Sequence, residues 1–175
     1  MDKKSVRMAR GMVLDQAESE VKKSEELPID GTIDGVSLLL AEDNELNAEI
    51  AELQLKEAGA DVTIVKDGQQ AVDLFIEKPE GTFDAILIDI MMPVMDGLSA
   101  TRVIRALDRE DAKTIPIIAT TANAFAEDAR RSMEAGMNAH LAKPLDMKKE
   151  KEQLIINSLL TRYIKHGWMF IPVLI

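Results

Sequence analysis

The chain has 175 residues, 46% of them hydrophobic and 30% charged, with a net charge of −10; that suits one globular domain with a sizeable core, or one domain with appendages. The negative balance speaks against a nucleic-acid surface, which needs clustered Lys and Arg, and the absence of cysteine excludes disulfides and thiolate chemistry. No apolar run approaches the roughly 20 residues that span a bilayer, so this segment is expected to make no membrane contact and to work in the cytoplasm.

Residues 1–35 are rich in charge. Val6, Ala9, Val13, Ala17 and Val21 have a weak helical spacing, and Pro28, Gly31 and Gly35 follow. The segment reads as a helical linker with a joint or, equally, as an unfolded tail. From Val36 short β-rich apolar runs alternate with helical patterns. VSLLLA (36–41) is the first expected strand. Leu46, Ile50 and Leu53 at i, i+4, i+7 predict a helix closed by Gly59. DVTIV (61–65) is the second strand. A helix with Val72, Phe75 and Ile76 opens after Asp67-Gly68 and stops near Pro79. DAILI (84–88) is the third strand, and the helix after Asp96-Gly97 carries Leu98, Thr101, Ile104 and Leu107. IPIIAT (115–120) is the fourth strand, followed by a helix with Phe125, Ala129 and Met133 that ends at Gly136. AHLA (139–142) is the fifth, and a last helix is expected over 146–164.

Strands alternating with helices predict an α/β doubly wound five-stranded sheet, made parallel by right-handed crossovers, with helices on both faces. The strands are continuously apolar, as strands covered on both sides should be. The expected domain covers 36–165. The closing 166–175 form an apolar tail, read as loosely packed or, less favoured, as a clip onto a partner or the N-terminal helix.

Ligands of such sheets bind beyond the carboxyl ends of the strands, where the strand order switches. Glu42 and Asp43 follow the first strand, Asp89 the third, Thr120 and Thr121 the fourth, and Lys143-Pro144 the fifth. Three carboxylates held close repel one another unless a cation intervenes. Oxygen ligands suit Mg²⁺, which takes one or two carboxylates together with phosphate oxygens. A remaining carboxylate can then act as a nucleophile toward phosphorus, with the metal and a lysine ammonium neutralising charge. Singly these residues have plainer explanations. An acid after a strand often caps the next helix, as Asn44 is expected to do, and Met91, Met92, His140 and His166 read as loop, packing or surface residues. Their arrival on one rim is what favours the chemistry.

Four stretches, LLLAEDNELN, LIDIMMPVMDG, IPIIATTANA and GMNAHLAKP, stand in this order. Over 36–164 the chain resembles the receiver domain of two-component signalling, the phosphoacceptor module of response regulators, in the style carried by hybrid sensor histidine kinases. The resemblance implies a flavodoxin-like strand order 2-1-3-4-5. Asp89 would be the phosphoacceptor. Asp43 would bind magnesium directly and Glu42 directly or through water, with Asp89 and the Met91 carbonyl completing the protein's ligands. Lys143 would contact the phosphoryl group, ahead of a cis bond to Pro144. Thr121, five residues after Pro116, would be the switch hydroxyl. His140 stands where the family usually has a tyrosine or phenylalanine that moves with the switch. The donor would be a histidine kinase or a histidine phosphotransfer protein, and a homodimer is a habit of the family.

Neither histidine lies in a helix like that of a donor histidine, and no ATP-binding boxes follow. A signalling domain with no enzyme activity on other molecules is therefore expected, more in the manner of a piece of a hybrid kinase than of a free-standing receiver. Two other readings are weighed. One is a receiver-like interaction module that works unphosphorylated, to which the intact acids, Thr121 and Lys143 are opposed. The other is a phosphatase of the haloacid dehalogenase type. That class needs Asp-x-Asp at its first strand, whereas Asp89 follows the third and Met91 stands two residues on.

Overall fold

The computed structural model describes residues 33–122 and 126–145. Five strands, β1 (Ser37–Ala41), β2 (Asp61–Val65), β3 (Ala85–Asp89), β4 (Ile117–Thr121) and β5 (Ala139–Ala142), alternate with helices α1 (Glu45–Glu57), α2 (Gly68–Glu77), α3 (Gly97–Ala106), the short α4 (Glu110–Thr114) and α5 (Ala126–Ala135). The strands form one sheet in the order β2-β1-β3-β4-β5, and every pairing is parallel. The expected fold and strand order are those observed. The helix expected over 146–164, the tail at 166–175, and residues 1–32 of the N-terminal extension lie outside the described residues, as do His166 and Phe125.

Strand alternation sorts the side chains between two cores. Leu38, Leu40, Leu87, Ile118 and Leu141 face Ala51 and Leu55 of α1. Leu39, Ile86, Ile88 and Ile117 face Val72 and Phe75 of α2 and Ile104 of α3 on the other side. Every residue of β3 and β4 is buried, which explains why these strands read as unbroken apolar runs.

Short polar residues start the helices. Asn44 accepts from the Asn47 N–H at 3.0 Å, Asp67 from Gln70 at 2.8 Å and Asp96 from Ser99 at 2.7 Å, each satisfying a donor that the first turn leaves open. Gly59 takes φ +100° just past α1, the left-handed stop expected of it.

Three expectations need correction. In α1 the buried residues are Ala48, Ala51 and Leu55, whereas Leu46 and Leu53 are 64% and 60% exposed and Ile50 37%. Two alanines let the helix approach the sheet closely, so its inner face carries the small residues. The helix α4 has no counterpart among the expected elements. Its five residues are too few to show a period, and it is tied down by charge. Arg109 pairs with Asp111 at 2.8 Å, donates to the Phe75 and Lys78 carbonyls at 2.5 and 3.0 Å, and stacks on the Phe75 ring. The strands β3 and β4 also end one residue later than expected. Asp89 and Thr121 are therefore the last residues of their strands, and Asp89 is held in the ladder opposite Thr120.

Candidate functional site

The strand order reverses between β1 and β3. The chain leaves β1 for β2 on one side and returns to β3 on the other, so a crevice opens at their carboxyl ends. Glu42 and Asp43 follow β1 into this crevice. Glu42 is only 4% exposed. Its N–H donates to the Val65 carbonyl at 3.0 Å, and its Oε1 accepts from the Asn44 N–H and the Asn47 side-chain amide, each at 3.3 Å. Asp43 faces solvent. Asp89, 7% exposed, ends β3, and its Oδ1 accepts from the Met91 N–H at 3.0 Å.

Lys143 reaches the same crevice from the end of β5. Its backbone N–H donates to the Thr121 carbonyl at 2.8 Å, and its bond to Pro144 is cis. Its Nζ lies 2.5 Å from Asp89 Oδ2 and 2.6 Å from Glu42 Oε2. Burial pushes this ammonium down. The hydrogen bonds and negative charges of Asp89 and Glu42 outweigh burial and hold it above the usual lysine value.

Glu42, Asp43 and Asp89 each offer an oxygen within 4.8 Å of the others. Three carboxylates against one ammonium leave the crevice two charges negative. That oxygen-only donor set fits a hard divalent cation and does not suit metals that prefer sulfur or imidazole.

Of the residues singled out from sequence, Glu42, Asp43, Asp89 and Lys143 are thus brought together. Thr121 is buried at the end of β4, paired in register with Ala142. The half-buried His140 lies opposite Ala119, so strand alternation places His140 and Thr121 on the same face of the sheet. The side chain of Met91 is 82% exposed. Asn47 is the member that sequence reasoning missed. It reads as part of a helix start, and only the turn after β1 brings its amide to Glu42.

The family model for the response regulator receiver domain matches residues 38–155. The chain is 38% identical over 132 residues to hybrid signal transduction histidine kinase I of Dictyostelium discoideum, covering 74% of this chain and 8% of that protein. It is 35% identical over 147 residues to histidine kinase 1 of Arabidopsis thaliana, covering 67% of this chain and 12% of that one. It therefore spans about a tenth of the length of these curated relatives. Among solved structures it resembles the receiver domain of a sensor histidine kinase from Pseudomonas aeruginosa, crystallised with a magnesium ion in its active-site cleft. That match has 42% identity and a TM-score of 0.61, over 74% of this chain and 98% of the other. A receiver domain from Saccharomyces cerevisiae, crystallised with a histidine phosphotransfer signalling protein, matches at 25% identity and a TM-score of 0.60, over 74% of this chain and 89% of the other.

Fold and crevice define a doubly wound α/β module with an acidic site at its switch point, and the chain belongs to the response regulator receiver domain family. It is a signalling domain of two-component systems, homologous to the receivers of hybrid histidine kinases. Among the described residues no helix is long and apolar enough to cross a membrane.

Proposed function

We propose that Asp89 accepts a phosphoryl group from the phosphohistidine of a histidine kinase or histidine phosphotransfer protein. A carboxylate oxygen of Asp89 attacks phosphorus, the phosphorus–nitrogen bond breaks, and its electron pair returns to the donor imidazole. The observation that carries this reading is the Lys143 ammonium, within 2.6 Å of both Glu42 and Asp89 at the switch point of the sheet. Phosphoryl transfer asks mainly for positioning and charge neutralisation.

Each residue then has a part. Glu42, Asp43, Asp89 and the Met91 carbonyl would hold Mg²⁺, which when bound neutralises phosphoryl oxygens. The Met91 N–H fixes the rotation of the Asp89 carboxylate. Lys143 releases Asp89 and takes a phosphoryl oxygen, staying anchored by Glu42. The Thr121 hydroxyl turns toward the phosphoryl group, and the half-buried His140 on the same face repacks in response. The domain so switched covers 36–165, a reading supported by the family match over 38–155.

A test uses a histidine phosphotransfer protein carrying radiolabelled phosphohistidine, mixed with the chain and Mg²⁺. Label should move to the chain and should not move to the Asp89→Asn variant. Transfer to that variant, or none to the parent chain from any donor tried, would leave the phosphorylation-independent interaction module as the better reading.

A further inference from the structure

Alternation in β4 divides its two terminal threonines. Thr121 shares a face with Ile117 and Ala119 of one core, and Thr120 shares a face with Ile118 of the other. Thr120 also stands beside Asp89 in the parallel ladder, where paired side chains point the same way. Its residue is 1% exposed, and its Oγ1 has no hydrogen-bond partner among the described residues. A buried hydroxyl with nothing to bond is costly, and valine of the same shape would avoid the cost. Such an orphan needs an explanation.

Thr120 is among the residues around a cavity of about 20 Å³ that Glu42, Asn47 and Lys143 also line, with Leu40 and Ile50 among its apolar walls. A water molecule needs about 10–15 Å³ of such space and two to four polar partners; this cavity offers both. The partners are complementary as well. Lys143 has three N–H donors, of which two are directed at Glu42 and Asp89. Threonine can accept and donate at once.

We propose that the cavity holds one water linking the Thr120 hydroxyl to the Glu42–Lys143 pair, which makes Thr120 a positioning residue for Lys143. The water accepts from the third Lys143 N–H and donates to Thr120 Oγ1. Together with Glu42 it gives the ammonium a fixed pivot when it leaves Asp89 for a phosphoryl oxygen. The role in transfer rests on the function proposed above; the water itself does not.

The test compares the parent chain with Thr120→Val and Thr120→Ser, each also in a Lys143→Ala background. Phosphorylation rates with acetyl phosphate and saturating Mg²⁺ are read beside melting temperatures without metal. Thr120→Val should slow phosphorylation about three- to tenfold, what one hydrogen bond is worth in a rate. Thr120→Ser should recover the parent rate to within about twofold. In the Lys143→Ala background the valine should make no further difference, and it should not raise the melting temperature. An unslowed Thr120→Val, an equal slowing without Lys143, or a higher melting temperature would each overturn the proposal. If the parent chain takes no phosphoryl group, the function reading fails on its own. The melting comparison then decides the water: a raised value for valine refutes it and an unraised value supports it.

Discussion

Gly97 opens α3 directly behind the Asp89 peptide, and replacing it by alanine should damage the site from the rear. A Cβ there would stand 2.3 Å from the Asp89 carbonyl oxygen, 3.0 Å from its carbon and 3.2 Å from Ile88 Cγ1. Carbon and oxygen normally approach to about 3.3 Å, so either the end of β3 or the start of α3 must move by about 1 Å. Neither is free to do so. The Gly97 N–H donates to the Ile90 carbonyl at 3.0 Å, and the Asp96 cap holds Ser99 at 2.7 Å. Overpacking of this kind costs about 1–3 kcal/mol, and loss of the Ile90 bond adds about 1 kcal/mol. Glycine to alanine in a helix otherwise gains up to about 1 kcal/mol, so even the sign is informative. The melting temperature should fall by on the order of 10 °C. A displacement of about 1 Å at Asp89 should slow phosphorylation by about 100-fold. Gly81→Ala is the control. It has φ +76° and nothing within 4 Å of a new Cβ, and it lies ahead of β3, so it should cost about 1–2 kcal/mol of backbone strain with an unchanged rate. If Gly97→Ala accepted phosphate as fast as the parent chain, the claim that this glycine sets the position of Asp89 would be wrong.

Two further predictions concern the scaffold. Leu55 is fully buried and Leu53 is 60% exposed, so Leu55→Ala should cost about 2–5 kcal/mol in urea unfolding and Leu53→Ala no more than about 0.5 kcal/mol; reversed values would restore the larger residues of α1 to its inner face. Burial raises the Asp111 carboxyl, but the hydrogen bonds of Arg109, Gly81 and Ala112 and the charge of Arg109 outweigh it and hold the group below the usual aspartate value. A lowered folded value means stability that is present above the unfolded value of about 3.9 and is lost as pH falls through the folded one. Asp111→Asn should therefore cost about 1–3 kcal/mol at neutral pH, with a gap that narrows below about pH 4; a constant gap would mean that the Arg109 pair contributes nothing through charge.

Much of the fold is legible because the sheet writes itself in period and punctuation. Unbroken apolar runs such as AILI mark doubly covered strands, and Asn44, Asp67 and Asp96 mark helix starts where short polar residues are expected. The acids and Lys143 could be assigned to one rim because parallel strands all end on the same side. Other features depend on tertiary geometry that local pattern does not carry. Ala48 and Ala51 win the inner face of α1 by their small size, against a pattern led by Leu46 and Leu53. The helix α4 exists through Arg109, whose partners Phe75 and Lys78 lie some thirty residues away in sequence. Thr120 reads as an ordinary β-former at a strand end, and only the register with Asp89 and the cavity beneath Lys143 set it apart. Asn47 likewise gains its meaning from a contact with Glu42 that no helical period encodes.

The central claim is that Asp89 takes the phosphoryl group, and intact-protein mass spectrometry after incubation with acetyl phosphate addresses it most directly. The parent chain should gain one phosphoryl group when Mg²⁺ is present and none when it is chelated, and Asp89→Asn should gain none in either case. A gain that survives in Asp89→Asn, or that is indifferent to Mg²⁺, would contradict the assignment of this crevice as the phosphoacceptor site.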